Sequence, residues 1–359
     1  MRVYNFSAGP SMLPLEVLEQ AQRDFVDYQG CGMSVTEMSH RSKQYDEIHS
    51  ECLSLFRELM QIPDNYRILL VQGGASQQFD AIPLNMLTGT GRADYIVTGN
   101  FAKKAYQAAK ALNVGDIHLA ATSEDKTYTY IPAQADLRDD TDYVYITQNN
   151  TIFGTRWTKL PRLKSGVLVS DVSSNILGEQ IDVSRYGVLY AGAQKNVAPA
   201  GVTIVIVRED LITDGVAGCP TMLRWKTQAE ADSLYNTPPC FSIYMAMLNL
   251  RYLKKLGGIR EMQKINEYKS ALLYDFIDNS GFYTNAVNPQ DRSLMNVPFV
   301  TPSKELDAEF VKQATQHGLL SIKGHKLVGG MRASIYNAMP VEGVRALIAF
   351  MQKFQSENK

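Results

Sequence analysis

Between about residues 65 and 210, short apolar runs alternate with longer amphipathic stretches. YRILLVQGG (66–74) is a β-like run closed by a glycine pair, and ASQQFDAIPLNML (75–87) is helix-like, with Pro83 expected to kink or end it. ADYIVTG (93–99) predicts a strand and NFAKKAYQAAKAL (100–112) an alanine-rich helix. DYVYITQNN (142–150), GVLVSDVSS (166–174), YGVLYAGAQ (186–194) and the run 202–207 predict further strands. Strands that alternate with helices imply an α/β core built on a mainly parallel sheet.

After about residue 240 the pattern changes. IYMAMLNLRYLKKL (243–256) is a long amphipathic helix that Gly257-Gly258 should break, and a second helical run reaches about Asn279. MNVPFVTP (295–302) and GMRASIYN (330–337) are strand-like, with a helix over 305–318 between them and another over 341–354. This predicts a smaller α+β domain beginning near 255–260, in keeping with a chain of 359 residues, which is long enough for about two domains.

Composition mainly excludes. The 36 basic and 37 acidic residues leave neither a nucleic-acid footprint nor a membrane-surface patch. No apolar run approaches a spanning helix, and MRVYNFSAGP lacks the apolar centre of a signal peptide, so a soluble, cytoplasmic protein is expected. Cysteines at 31, 52, 219 and 240 show no CxxC spacing. They are expected to be free thiols, with no metal site.

The candidate chemistry gathers where predicted strands end, the edge at which open α/β sheets bind ligands. Gly73-Gly74-Ala75-Ser76 joins a strand to a helix, so it is either a tight turn or a phosphate cradle at a helix N-terminus. Asp171 closes an apolar run, either as a helix cap or as the partner of a cation or a protonated ring nitrogen. Lys195 lies in a knot of small residues between two apolar runs. A solvated loop lysine is the plain alternative, but desolvation there would lower its pKa and make it a Schiff-base nucleophile of the kind pyridoxal phosphate (PLP) uses. His40-Arg41, His325-Lys326 and Arg332 are basic residues in which Arg332 could fork onto a carboxylate; each could equally be a surface charge.

NFSAGPSMLP, SVTEMSHRSK, LLVQGGASQQF, SDVSSNIL, IDVSRYGVLYAGAQKNVAPAG, YNTPPCFSIY and KGHKLVGGMRASIYNAMP occur in this order along nearly the whole chain. Together they resemble the phosphoserine aminotransferases, class-V aminotransferases with the type I fold of PLP-dependent enzymes. The resemblance implies a large domain over 16–257 and a small one formed by 1–15 and 258–359. It implies that Lys195 forms the Schiff base with PLP and that Asp171 pairs with the ring nitrogen. Ala75, Ser76 and Gln194 would hold the cofactor phosphate, joined by Asn236 and Thr237 of the neighbouring subunit of a homodimer. Phe101 would stack on the ring and Thr151 would bond its phenolic oxygen. Arg332 would grip the substrate α-carboxylate. His40 and Arg41, from the partner subunit, would join His325 and Lys326 around the distal phosphate or carboxylate.

The implied reaction exchanges an amino group between L-glutamate and 3-phosphohydroxypyruvate, giving 2-oxoglutarate and O-phospho-L-serine in L-serine synthesis. Some bacterial members also aminate a phosphorylated hydroxythreonine precursor in pyridoxine synthesis. Two positions depart from the common pattern. Many members carry tryptophan at the place of Phe101 and arginine at the place of Lys326, so the indole N–H and the planar fork are missing. The nearest alternative is another class-V enzyme, such as an alanine– or serine–glyoxylate aminotransferase. It would share Lys195 and Asp171 without needing the basic residues at 40–41 and 325–326. A protein that binds PLP without catalysis should lack one of the pair.

Overall fold

The structure is a computed structural model that describes residues 2–358. The chain runs through β1 (Tyr4–Asn5), α1 (Leu15–Asp24), α2 (Lys43–Leu59), β2 (Tyr66–Val71), α3 (Gly74–Met86), β3 (Arg92–Val97), α4 (Asn100–Leu112) and β4 (Asp116–Thr122). Next come β5 (Tyr143–Thr147), β6 (Val167–Asp171), β7 (Val188–Gly192), β8 (Thr203–Arg208), α5 (Trp225–Glu230) and α6 (Cys240–Lys255). The last third holds α7 (Gly258–Ser280), β9 (Asn296–Phe299), α8 (Lys304–Gln316), β10 (Leu319–Leu320), β11 (Met331–Ser334) and α9 (Val341–Asn358).

Seven strands form one sheet in the order β2-β8-β7-β6-β5-β3-β4. Only β8 runs antiparallel to its neighbours β2 and β7. The carboxyl ends of β2, β3, β5, β6 and β7 therefore share one edge. Side chains alternate between the faces, as strand geometry requires. Val144 and Ile146 of β5 join a core with α1, α2 and α6, whereas Tyr143 and Tyr145 join one with α3, α4 and α5. The result is three layers, α/β/α. The last third adds a third core, in which Phe6 packs with side chains of α7, α8, α9 and the short strands. Its two small sheets pair β1 with β10 in parallel and β9 with β11 in antiparallel fashion.

The α/β alternation predicted over 65–210 is present, and three local differences have physical causes. Pro83 does not stop α3 where it stands; it sits inside the last turn. There its missing N–H costs one hydrogen bond, to the carbonyl four residues back, and the helix still reaches Met86. The strands end earlier than their apolar runs suggest: β5 at Thr147, β6 at Asp171, β7 at Gly192. The polar residues that follow leave the ladder to build the carboxyl edge. Helices α1 and α2 and strand β4 precede or escape the predicted pattern; α2 is capped by Ser42, whose Oγ accepts from the backbone N–H of Tyr45 at 3.2 Å. Gly257 (φ +96°) and Gly258 (φ +78°) do break α6 from α7, in a left-handed conformation that suits glycine.

All four cysteines are free thiols. Among the described residues, no helix is long and apolar enough to cross a membrane.

Phe310 is fully buried and lies edge-on to Phe299 (5.7 Å between centroids), Phe350 (5.0 Å) and Phe354 (5.1 Å). Phe310→Ala should therefore cost about 3–5 kcal/mol of stability, read by chemical denaturation. A loss below about 1 kcal/mol would mean that this aromatic cluster does not hold the third core.

Candidate active site

Of the loops that leave the carboxyl edge of the sheet, those after β2, β3, β5, β6 and β7 each carry or adjoin a residue singled out in the sequence. After β2, Gly73 (φ +91°) and Gly74 (φ +68°) turn the chain into α3. A Cβ on Gly73 would lie 1.9 Å from the side-chain oxygen of Gln77, so this turn requires glycine. The first turn of α3 holds Ala75 and Ser76 and no acidic residue. Its free N–H groups and partial positive charge are thus available to an anion. After β3, Phe101 opens α4, a partly buried ring. After β5 comes buried Thr151, and at the end of β6 comes buried Asp171, whose Oδ1 accepts from Ser173 N–H at 2.9 Å. After β7 come Gln194 and Lys195.

The lysine is the centre. Its Nζ lies 2.7 Å from Thr151 Oγ1 and 4.9 Å from the centroid of the Phe101 ring, close enough for a cation–π contact. Burial pushes its pKa down to about 8, helped by the like charge of Arg332 and opposed by Asp171. The N-terminal segment closes the stem side. Gly9 (φ +147°) passes so near that a Cβ would lie 3.2 Å from Lys195 Cγ. The N–H of Ser11 donates to the Gln194 carbonyl at 3.0 Å, and its hydroxyl donates to the Lys195 carbonyl.

Arg332 arrives from the third core, on β11. Its Nη1 donates to the Thr151 carbonyl at 3.4 Å, so one residue touches both the lysine and the arginine. Its Nε is buried without a partner, a donor held ready for an acceptor. His325 and Lys326 lie on the loop before β11; Lys326 is exposed. Burial lowers the His325 pKa, and the positive charges of Arg332, Lys326 and Lys104 lower it further. Lys104 was not anticipated. It lies one helical turn beyond Phe101 on α4, so the i,i+3 spacing from an aromatic at a helix start was the signal available.

Asn236 and Thr237 precede α6, where the Gln72 side-chain amide donates to the Thr237 carbonyl at 2.7 Å, beside Gly73. His40 and Arg41 precede α2. Among the described residues, no hydrogen bond or ion pair joins them to Lys195, Arg332 or His325. Unforeseen, too, is the polar bracing: Asn196 Nδ2 donates to the Ile176 carbonyl at 2.7 Å, and Gly192 N–H donates to Ser173 Oγ at 3.0 Å.

This donor set fits PLP. A glycine turn and an acid-free helix start suit a phosphate, a buried carboxylate and an aromatic face suit a cationic heterocycle, and a lysine of low pKa suits an aldehyde.

In protein freed of any cofactor, Lys195 should titrate near pH 8, followed by the pH dependence of amine labelling at its peptide. Asp171→Asn should move that titration downward and Arg332→Met upward, because the two charges act on the amine with opposite sign. Titration at or above pH 10 would contradict the buried position of the amine.

The comparisons with known proteins converge. The family model described as Aminotransferase class-V matches residues 3–347. A phosphoserine aminotransferase of Bacillus cereus is 52% identical over 360 residues, covering 100% of this chain and 99% of its own. The solved phosphoserine aminotransferase from Bacillus circulans subsp. alkalophilus superposes with a TM-score of 0.97 at 46% identity, covering 100% of this chain and 99% of its own. A PLP-bound phosphoserine aminotransferase from Trichomonas vaginalis gives a TM-score of 0.94 at 38% identity, covering 98% of this chain and 100% of its own. The chain belongs to the class-V aminotransferases, in their phosphoserine aminotransferase branch.

Proposed function

We propose that the protein transfers an amino group from L-glutamate to 3-phosphohydroxypyruvate, yielding 2-oxoglutarate and O-phospho-L-serine, with PLP as cofactor. The observation that carries this is the convergence on Thr151. Its hydroxyl meets the lysine amine and its carbonyl meets the arginine that reaches in from β11.

PLP, when bound, supplies an electron-withdrawing ring that accepts the electron pair left behind when the substrate loses its α-proton. The protein supplies everything else. Gly73 to Ser76 would hold the phosphate at the start of α3, with Gln194 beside them and Asn236 and Thr237 offered by the partner subunit. Phe101 would cover one ring face, Thr151 would bond the phenolic oxygen and Asp171 would pair with the ring nitrogen. Lys195 would carry the cofactor at rest. As a free amine it would be the base that takes the α-proton, and as the resulting ammonium the acid that returns one, a role that a pKa lowered by burial suits. Arg332 forks onto the α-carboxylate and fixes the Cα–H bond relative to Lys195.

The distal group of each substrate is an anion, a carboxylate in one and a phosphate in the other. His325, Lys326 and Lys104 supply positive charge for it, joined by His40 and Arg41 from a partner subunit. A homodimer is supported by the large apolar residues left exposed beside both segments: Phe25, Val26 and Met33 on the way to His40, and Tyr235 next to Asn236. The division into a large domain (16–257) and a small one (1–15 with 258–359) is supported by the separate core that Phe6 shares with side chains of the last third. The branch to which the chain belongs supports a soluble cytoplasmic enzyme.

With PLP added, O-phospho-L-serine and 2-oxoglutarate should give L-glutamate and 3-phosphohydroxypyruvate. L-Serine and L-alanine should react with kcat/KM at least about 100-fold lower, since each lacks the anion that makes two or more charge-assisted hydrogen bonds of about 1.5 kcal/mol or more. Comparable rates on alanine or serine would favour a glyoxylate-type aminotransferase instead.

A further inference from the structure

Lys269 has no part in the chemistry above, yet it is fully buried. It lies on α7 in a stripe with Met262, Asn266, Leu273 and Ile277, the face that packs inward. Burial pushes its pKa down to about 7, and among the described residues no carboxylate pairs with it. Its Nζ instead donates to three backbone carbonyls: Ile335 at 3.0 Å, Tyr336 at 2.8 Å and Met339 at 3.0 Å. An ammonium has three N–H groups and a neutral amine has two. Three acceptors therefore match the charged form and offset the burial that opposes it.

The three carbonyls belong to the turn between β11 and α9, and this turn is tied to both halves of the active site. Upstream lies Arg332, three residues before Ile335. The Tyr336 hydroxyl donates to the Ala8 carbonyl at 2.8 Å, next to Gly9, which abuts the Lys195 stem. The Asn337 N–H donates to Asn196 Oδ1 at 3.0 Å, immediately after Lys195. Asn266, one turn before Lys269 on α7, donates to Asn337 Oδ1 at 2.8 Å. One face of α7 thus grips a turn from which the arginine strand and the lysine loop are both held.

We propose that Lys269 is a positioning residue: by fixing the 335–339 turn through three carbonyls, it sets the placement of Arg332 relative to Lys195. The inference rests on the reading that Arg332 grips the substrate α-carboxylate while Lys195 works at the α-carbon.

Lys269→Met, Asn337→Ala and Arg332→Ala are compared with the unaltered protein, all loaded with PLP. For Lys269→Met the expected result is a fall in kcat/KM of about 100-fold for both L-glutamate and O-phospho-L-serine, carried mainly by KM, with borohydride still fixing the cofactor on Lys195. A folded Lys269→Met protein that has lost only thermal stability, with KM unchanged, overturns the inference. If Lys269→Met does not fold, Asn337→Ala decides: a raised KM for both substrates supports the inference and an unchanged KM overturns it. Arg332→Ala separates the two possible failures. An unchanged KM there removes the carboxylate grip and the inference with it. A raised KM there beside unaffected Lys269 and Asn337 variants removes the inference alone.

Discussion

Everything at this site depends on keeping one lysine amine out of water. Free lysine is protonated at neutral pH and is then no nucleophile. Lys195 is brought down to about pH 8 by burial, and that burial has several walls. The Phe101 ring lies against the amine, Thr151 Oγ1 accepts a hydrogen bond from it, and Gly9 crowds its stem. Asp171 is the counterweight, a buried carboxylate on the next strand that limits how far the pKa falls. The small residues around Lys195 follow from this: larger side chains could not pack so closely on a loop wedged between β7 and β8.

The second constraint is that the walls come from distant parts of the chain. Sheet order solves most of it, since parallel strands deliver the loops after β2, β3, β5, β6 and β7 to a single edge. Arg332 comes from elsewhere and needs a separate mount. A buried polar network provides one. Asn149, just past β5, donates to Ser174 Oγ and to Asn296 Oδ1, and Asn296 in turn donates to Ser334 Oγ, two residues beyond Arg332. Such a network is costly unless every member is paired, which makes it rigid when it is. The turn held by Lys269 works alongside it.

Much of this was legible in the sequence, for local reasons. Apolar runs closed by glycine or polar pairs mark the strand ends, and Lys195, Asp171 and the Gly73-Gly74 turn stand out at such ends; Phe101 and Thr151, also past strand ends, were reached only through the family resemblance. What escaped is what local patterns encode weakly or not at all. Lys104 and Lys269 look like ordinary helix lysines; one reaches the basic cluster, and the other lies in an apolar stripe that shows only once the 3.6-residue period of α7 is traced. The bracing by Gly9, Ser11 and Asn196 joins positions far apart in sequence, some by more than a hundred residues. Pro83 lies inside α3, and the helix runs on to Met86 before it stops.

The central claim is that Lys195, and no other lysine, is the group that carries the cofactor. The most direct test is to load the purified protein with PLP, reduce it with borohydride, digest it and map the label by mass spectrometry. The account predicts one pyridoxyl group per chain, on the peptide containing Lys195, and no label in a Lys195→Ala protein. Label spread over several lysines, or retained in Lys195→Ala, would contradict it.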